Sequence, residues 1–213
     1  MAAPDDDPHA GQPILQRGPS LASARLAAIL VHGRGASAED ILGLSRELRA
    51  KDVAFLAPQA AGRTWYPYSF LSPIPQNEPG ITSGLRVIGG LLDETRRQGL
   101  PPDRVVLMGF SQGACLSLEF AARHARRFHA VIGLSGGLIG PPGTPRSYAG
   151  SMDGTPVLLG CSDIDPHIPL ERVHETADAF RRLGASVDER IYPRMGHTVN
   201  RDELDAVDAL LAG

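Results

Sequence analysis

Leu107-Met108-Gly109-Phe110-Ser111-Gln112-Gly113-Ala114 is the stretch from which the fold of this chain is read. Ahead of the glycine, Val105-Val106-Leu107-Met108 is apolar and partly β-branched, long enough for a buried strand. Behind it, Ala114 to Arg126 has a helical apolar rhythm. Strand, then Gly-x-Ser-x-Gly, then helix is the context of a nucleophile elbow. Such a turn forces the serine into a strained backbone conformation. It also needs small residues at Gly109 and Gly113, where a side chain would collide with the neighbouring strand or helix. It lifts the Ser111 hydroxyl clear of the sheet and aims the first helical amides at whatever the hydroxyl attacks. The bland alternative is a glycine-tolerant strand-to-helix turn with an incidental serine.

Apolar runs recur on both sides of the elbow. Leu26–Val31 is continuous and suits a strand covered on both faces, as in a parallel sheet. Val53–Pro58, Ala130–Leu134 and Pro156–Gly160 read the same way, and Ser186–Tyr192 alternates as expected near a sheet edge. A further short strand is expected near Ile14–Arg17. Between them lie helical patterns. One opens at Ser37-Ala38-Glu39-Asp40, a capping-box pattern, and continues through Ile41, Leu42, Leu44 and Leu48. Others run from about Ile81 to Arg97, with Gly89-Gly90 marking weakness or close packing, and from Leu170 to Leu183. A final helix opens at Asn200-Arg201-Asp202-Glu203, which can cap it, with Leu204, Val207, Leu210 and Leu211 facing in. Alternating strands and helices predict an α/β fold around a mainly parallel sheet, with chemistry at the carboxyl ends of its strands.

The chain of 213 residues fits one domain, placed at 13–213. Residues 1–12 are acidic at their start, carry no apolar core and read as a disordered tail rather than a secretory signal. A net charge of −3 with interspersed arginines and acids argues against a nucleic-acid groove. No apolar run approaches a membrane span. Cys115 and Cys161 read as free buried thiols of a reducing compartment, and a cytoplasmic location is expected. The oligomeric state is left open, a homodimer being compatible with it.

A serine hydroxyl needs a base within reach, and the base needs an orienter. The chain order of such sites places an acid and then a histidine after later strands. Asp163 and Asp165 follow the strand ending at Gly160, and His197 follows Ile191-Tyr192 in a loop before the final helix. Asp163 lies nearer the strand, whereas Asp165 precedes Pro166, which stiffens the turn; the residues leave both acids open, with a slight preference for Asp165. Of the other histidines, His9 falls in the tail, His124, His129 and His174 are expected at the surface, and His167 is a spectator. His32 reads as a structural hydrogen-bonding residue. Asp163, Asp165 and His167 lack the spacing of a zinc site, so no metal is expected. Oxyanion donors are expected from the Gln112 amide at the helix start and the Arg34 amide in His32-Gly33-Arg34-Gly35. The Arg34 side chain either points to solvent or sits at a pocket mouth and favours acidic substrates. The irregular stretch 59–79 is long enough to be functional. Trp65, Tyr68, Phe70 and Leu71 are its candidates for a pocket wall, against the reading that they only pack the loop onto the sheet.

Together His32-Gly33-Arg34-Gly35, Gly109-Phe110-Ser111-Gln112-Gly113, Asp163 to Pro169 and Met195-Gly196-His197 resemble the phospholipase/carboxylesterase branch of the α/β-hydrolase superfamily, which includes acyl-protein thioesterases. The resemblance covers residues 30 to 200. It implies a three-layer α/β-hydrolase fold without a large lid domain, and it makes Asp165, directly before the proline, the acid. It implies the Arg34 and Gln112 amides as the oxyanion hole. Arg34 stands where members often have leucine, and Ala114 where they often have a second glycine. Trp65-Tyr66-Pro67-Tyr68 looks closer to small bacterial members than to eukaryotic depalmitoylating enzymes. The expectation is a cofactor-free serine hydrolase of small-molecule carboxylic esters or thioesters with short to medium acyl groups, acting through an acyl-enzyme. Lysophospholipase or lactonase specificity is the nearest rival, and a non-catalytic ligand-binding sensor the more distant one.

Overall fold

Alternate residues of the run Leu26–Val31 face opposite sides of one sheet, which is why the run has no polar half. A computed structural model describes residues 7–213. The strands are β1 (Ile14–Arg17), β2 (Leu26–Val31), β3 (Val53–Pro58), β4 (Val105–Phe110), β5 (Ala130–Leu134), β6 (Pro156–Ser162) and β7 (Ser186–Tyr192). They form one seven-stranded sheet in the order β1-β3-β2-β4-β5-β6-β7. All neighbours are parallel except β1 and β3. The exposed β1 is thus an antiparallel edge on an otherwise parallel sheet.

Ala27, Ile29 and Val31 of β2 join α2 (Gly80–Arg97), α3 (Gln112–Arg123) and α4 (Leu170–Arg182) in one apolar layer. Leu26, Ala28 and Leu30 join α1 (Ala38–Leu44) and α5 (Arg201–Ala212) in the other. Helices therefore cover both faces, giving the three layers of an α/β-hydrolase fold, and no lid domain interrupts the strands among the described residues. No helix of the described residues is long and apolar enough to cross a membrane. Cys115 and Cys161 are free and buried.

Three expectations need correction. The first helix ends at Leu44: the Ser45 hydroxyl takes the Leu42 carbonyl at 2.7 Å, and the Ser45 N–H closes a tight turn onto the same oxygen. Leu48 is buried beyond that turn rather than on the helix. In α2 the close packing expected of Gly89-Gly90 falls instead at Gly80, where a Cβ would lie 2.5 Å from the Trp65 carbonyl oxygen, and at Gly84, where it would lie 2.7 Å from the Leu116 side chain; Gly89 makes only ordinary contact with Phe120 and Gly90 faces open space. The expected tail is a correction only in part. Residues 1–6 lie outside the described residues, whereas His9 is buried against the 60s loop. Its Nε2–H donates to the Trp65 carbonyl at 2.9 Å and its Nδ1 accepts the Ala61 N–H at 3.1 Å. Burial lowers its pKa, keeping the ring neutral for those two roles. The packed region therefore begins before residue 13.

Candidate active site

β4 delivers Ser111 at φ 55°, ψ −122°, a conformation that non-glycine residues rarely adopt. Its neighbours explain how the strain is held. A Cβ on Gly109 would lie 2.3 Å from the Gly113 carbonyl oxygen, and one on Gly113 would lie 2.1 Å from the Val31 carbonyl oxygen. The turn is thus wedged between its own helix and β2, and the Ser111 N–H is tied to the Leu134 carbonyl at 2.9 Å.

Three side chains from distant parts of the sequence meet above this turn. His197 Nε2 lies 2.9 Å from Ser111 Oγ, and His197 Nδ1 lies 2.7 Å from Asp165 Oδ2. An ionised carboxylate only accepts, so Nδ1 carries the proton and Nε2 is left as an acceptor for the serine hydroxyl. Asp165 Oδ1 accepts the N–H groups of His167 at 2.8 Å and Ile168 at 3.0 Å. The Asp165 side chain is fully buried. Burial pushes its pKa up, but the His197 hydrogen bond and the two amides outweigh it and hold the carboxyl below its usual range. Phe110 and His167 flank the His197 ring at centroid distances of 5.0 and 4.8 Å.

Asp163, the other acid, accepts the Arg194 N–H at 2.7 Å. Ser162 Oγ accepts the Gly196 N–H at 3.1 Å. Both brace the loop that carries His197. Asp163, Asp165 and His167 do not converge on a common point: Asp165 turns to His197 and Asp163 to Arg194. Beyond the loop, Asn200 and Glu203 form a reciprocal capping box on α5. Glu203 is fully buried, with Oε1 over Gly160, where a Cβ would stand 2.1 Å from that oxygen. Oε1 has no hydrogen-bond partner among the described residues, and burial pushes the carboxyl up to about 7.

The loop after β2 crosses over the serine: a Cβ on Gly33 would lie 3.3 Å from Ser111 Cβ. Among the described residues, neither the Arg34 N–H nor the Gln112 N–H has an acceptor. His32 beneath is fully buried, donating from Nδ1 to the Gly33 carbonyl at 2.8 Å and accepting the Ala60 N–H at Nε2 at 3.1 Å. Its role is structural, and burial keeps its pKa low.

A cleft of about 440 Å³ opens beside Ser111, lined by Tyr68 and Phe70 among others. Two expected wall residues are elsewhere. Trp65 is completely buried, because its indole N–H reaches the His32 carbonyl at 2.9 Å and draws the ring under the sheet edge. Leu71 is half-buried against the core and does not line the cleft. Tyr66, Phe110, Cys115, His167 and Ile168 line it instead. Ile168 and His167 border the acid that the motif located; Tyr66 and Cys115 had no spacing signal. The Arg34 guanidinium is exposed at the cleft mouth, yet it donates to the Pro67 and Tyr68 carbonyls at 2.7 and 2.6 Å, so it neither hangs in solvent nor offers those donors to a ligand.

A doubly covered parallel sheet with a serine elbow at the end of its central strand and a histidine reaching over from the loop after the last strand defines an α/β-hydrolase. Residues 20–212 match the family model for Phospholipase/Carboxylesterase, and the chain belongs to that family of ester hydrolases. It is similar to the crystal structure of a phospholipase/carboxylesterase from Dyadobacter fermentans, with a TM-score of 0.91 and 37% identity, covering 95% of this chain and 97% of that one. It is 25% identical to acyl-protein thioesterase 1 of Neurospora crassa over 220 residues, covering 91% of this chain and 88% of the relative. With acyl-protein thioesterase 1 of Gibberella zeae it shares 30% identity over 142 residues, 64% of this chain but only 59% of the relative.

Proposed function

We propose that this chain hydrolyses carboxylic esters or thioesters with short to medium acyl groups, through an acyl-enzyme on Ser111. The observation that carries the reading is the continuous relay from Asp165 through His197 to Ser111, with contacts of 2.7 and 2.9 Å. Ser111 Oγ attacks the carbonyl carbon as His197 Nε2 takes its proton. Asp165 fixes the tautomer and stabilises the imidazolium. The tetrahedral oxyanion receives the Arg34 and Gln112 N–H groups, a contribution of about 2.7–4 kcal/mol per donor in such sites. His197 returns the proton to the leaving oxygen or sulfur, and water repeats the cycle on the acyl-enzyme. The 440 Å³ cleft, walled by Tyr68, Phe70 and Ile168, supports a short or medium acyl group.

Intact-mass analysis with a fluorophosphonate tests the nucleophile. The wild type takes up one adduct and Ser111→Ala takes up none; stoichiometric labelling of Ser111→Ala overturns the assignment. A p-nitrophenyl ester series tests chain length, with kcat/KM falling beyond medium acyl groups. A continuous rise to long chains overturns that part.

A further inference from the structure

The two residues assigned the oxyanion amides spend their side chains on one short segment. Gln112 Oε1 accepts the Trp65 N–H at 2.9 Å and the Thr64 hydroxyl at 3.3 Å, and its Nε2 donates to the Tyr66 carbonyl at 2.8 Å. Arg34 donates to the Pro67 and Tyr68 carbonyls. Each of the five consecutive residues 64–68 therefore gives one group to one of these two side chains. The far side of the segment is pinned as well: buried Asn77 accepts the Tyr68 N–H at 2.8 Å, and His9 takes the Trp65 carbonyl. Tyr66, Pro67 and Tyr68 of the same segment line the cleft.

Arg34 lies between Gly33 and Gly35, the latter at φ +77°, so its turn has little stiffness of its own. Gln112 sits at the first position of a helix, where the N–H has no helical partner. Displacing a catalytic donor by about 1 Å costs on the order of 10²-fold in rate. Something besides the local backbone must hold these two amides.

We propose that the side chains of Arg34 and Gln112 are positioning residues: by gripping segment 64–68 they lock both oxyanion amides to the wall of the acyl pocket. The proposal rests on the assignment of those amides made above. Its consequence is that the wall speaks through kcat rather than through KM, because a well-packed acyl group stiffens the segment that aligns the donors.

The test compares wild type, Arg34→Met, Arg34→Lys and Gln112→Met on p-nitrophenyl butyrate, together with inhibition by an alkyl trifluoromethyl ketone, whose serine adduct carries an oxyanion. Arg34 is exposed, so its replacement leaves the core intact. Arg34→Met lowers kcat about tenfold with KM within about twofold, and weakens the ketone by the same factor. Arg34→Lys, retaining a donor, recovers most of the loss; Gln112→Met loses about 10²-fold. A raised KM with unchanged kcat, or a kcat loss without a matching loss of ketone affinity, overturns the proposal while leaving the hydrolase reading intact. A wild type that neither turns over ester nor labels at Ser111 overturns both.

Discussion

Glu203 is a carboxyl group that the fold keeps dry, and its titration should be measurable as stability. Its pKa rises from an ordinary 4.5 to about 7, chiefly through burial. The folded state therefore holds this proton more tightly than the unfolded chain does. Below pH 4.5 both states are protonated and the group is neutral to folding. As pH rises through the window from 4.5 to 7 the unfolded chain ionises first and stability falls. Above pH 7 the full cost is about 3 kcal/mol, each pH unit of displacement being about 1.36 kcal/mol. Glu203→Gln keeps a carbonyl oxygen for the Asn200 N–H, now 2.8 Å from Oε2, and removes the titration. Urea unfolding of both proteins at pH 5 and pH 8 isolates the effect, since other titrating groups are common to both. The stability difference should move by about 2.5 kcal/mol in favour of Glu203→Gln between pH 5 and pH 8. An equal difference at the two pH values refutes the reasoning, because a merely steric role for the side chain would not depend on pH.

Two further outcomes follow from the site. In Asp165→Asn the amide oxygen stays with the His167 and Ile168 N–H groups, so the NH₂ faces His197 Nδ1 and forces the ring proton onto Nε2. That tautomer cannot accept the serine proton. Steady-state kinetics should show kcat reduced by about 10³–10⁴-fold with the fold retained, and a loss below tenfold would contradict the assignment. Gly113→Ala places a Cβ against two backbone oxygens of the β2 end, those of Val31 and His32. A thermal or urea melt should show about 1–3 kcal/mol of destabilisation, and wild-type stability would show that the elbow is looser than described.

How much of this was legible beforehand depends on whether the cause is local. The elbow was readable because its whole pattern lies within five consecutive residues, although the clash that excludes a side chain at Gly113, a Cβ 2.1 Å from the Val31 carbonyl oxygen, comes from β2. The capping box at Ser37 and the helix cap at Asn200 were readable for the same reason. Asp163 and Asp165 were not separable by residue type, since both lie on one loop. What divides them is a turn whose two amides hold Oδ1 and aim Oδ2 at His197. The wall aromatics were equally ambiguous: in a segment without periodicity, Trp65 goes inward and Tyr68 outward according to a partner 33 residues away, the His32 carbonyl. His9 carried no local signal at all, because its acceptor and donor belong to residues 65 and 61.

The imidazole of His9 has a practical bearing on how the protein is handled. An expression clone trimmed to begin at residue 13, the boundary that composition invites, would delete the plug beneath Trp65 and free the carbonyl and amide that it occupies. The preparation would still contain every residue of the Ser111 relay, and yet the mouth of the cleft would have lost one of its anchors. Trimming should therefore stop short of Asp7, whose carboxylate reaches the Ser83 hydroxyl and Arg86.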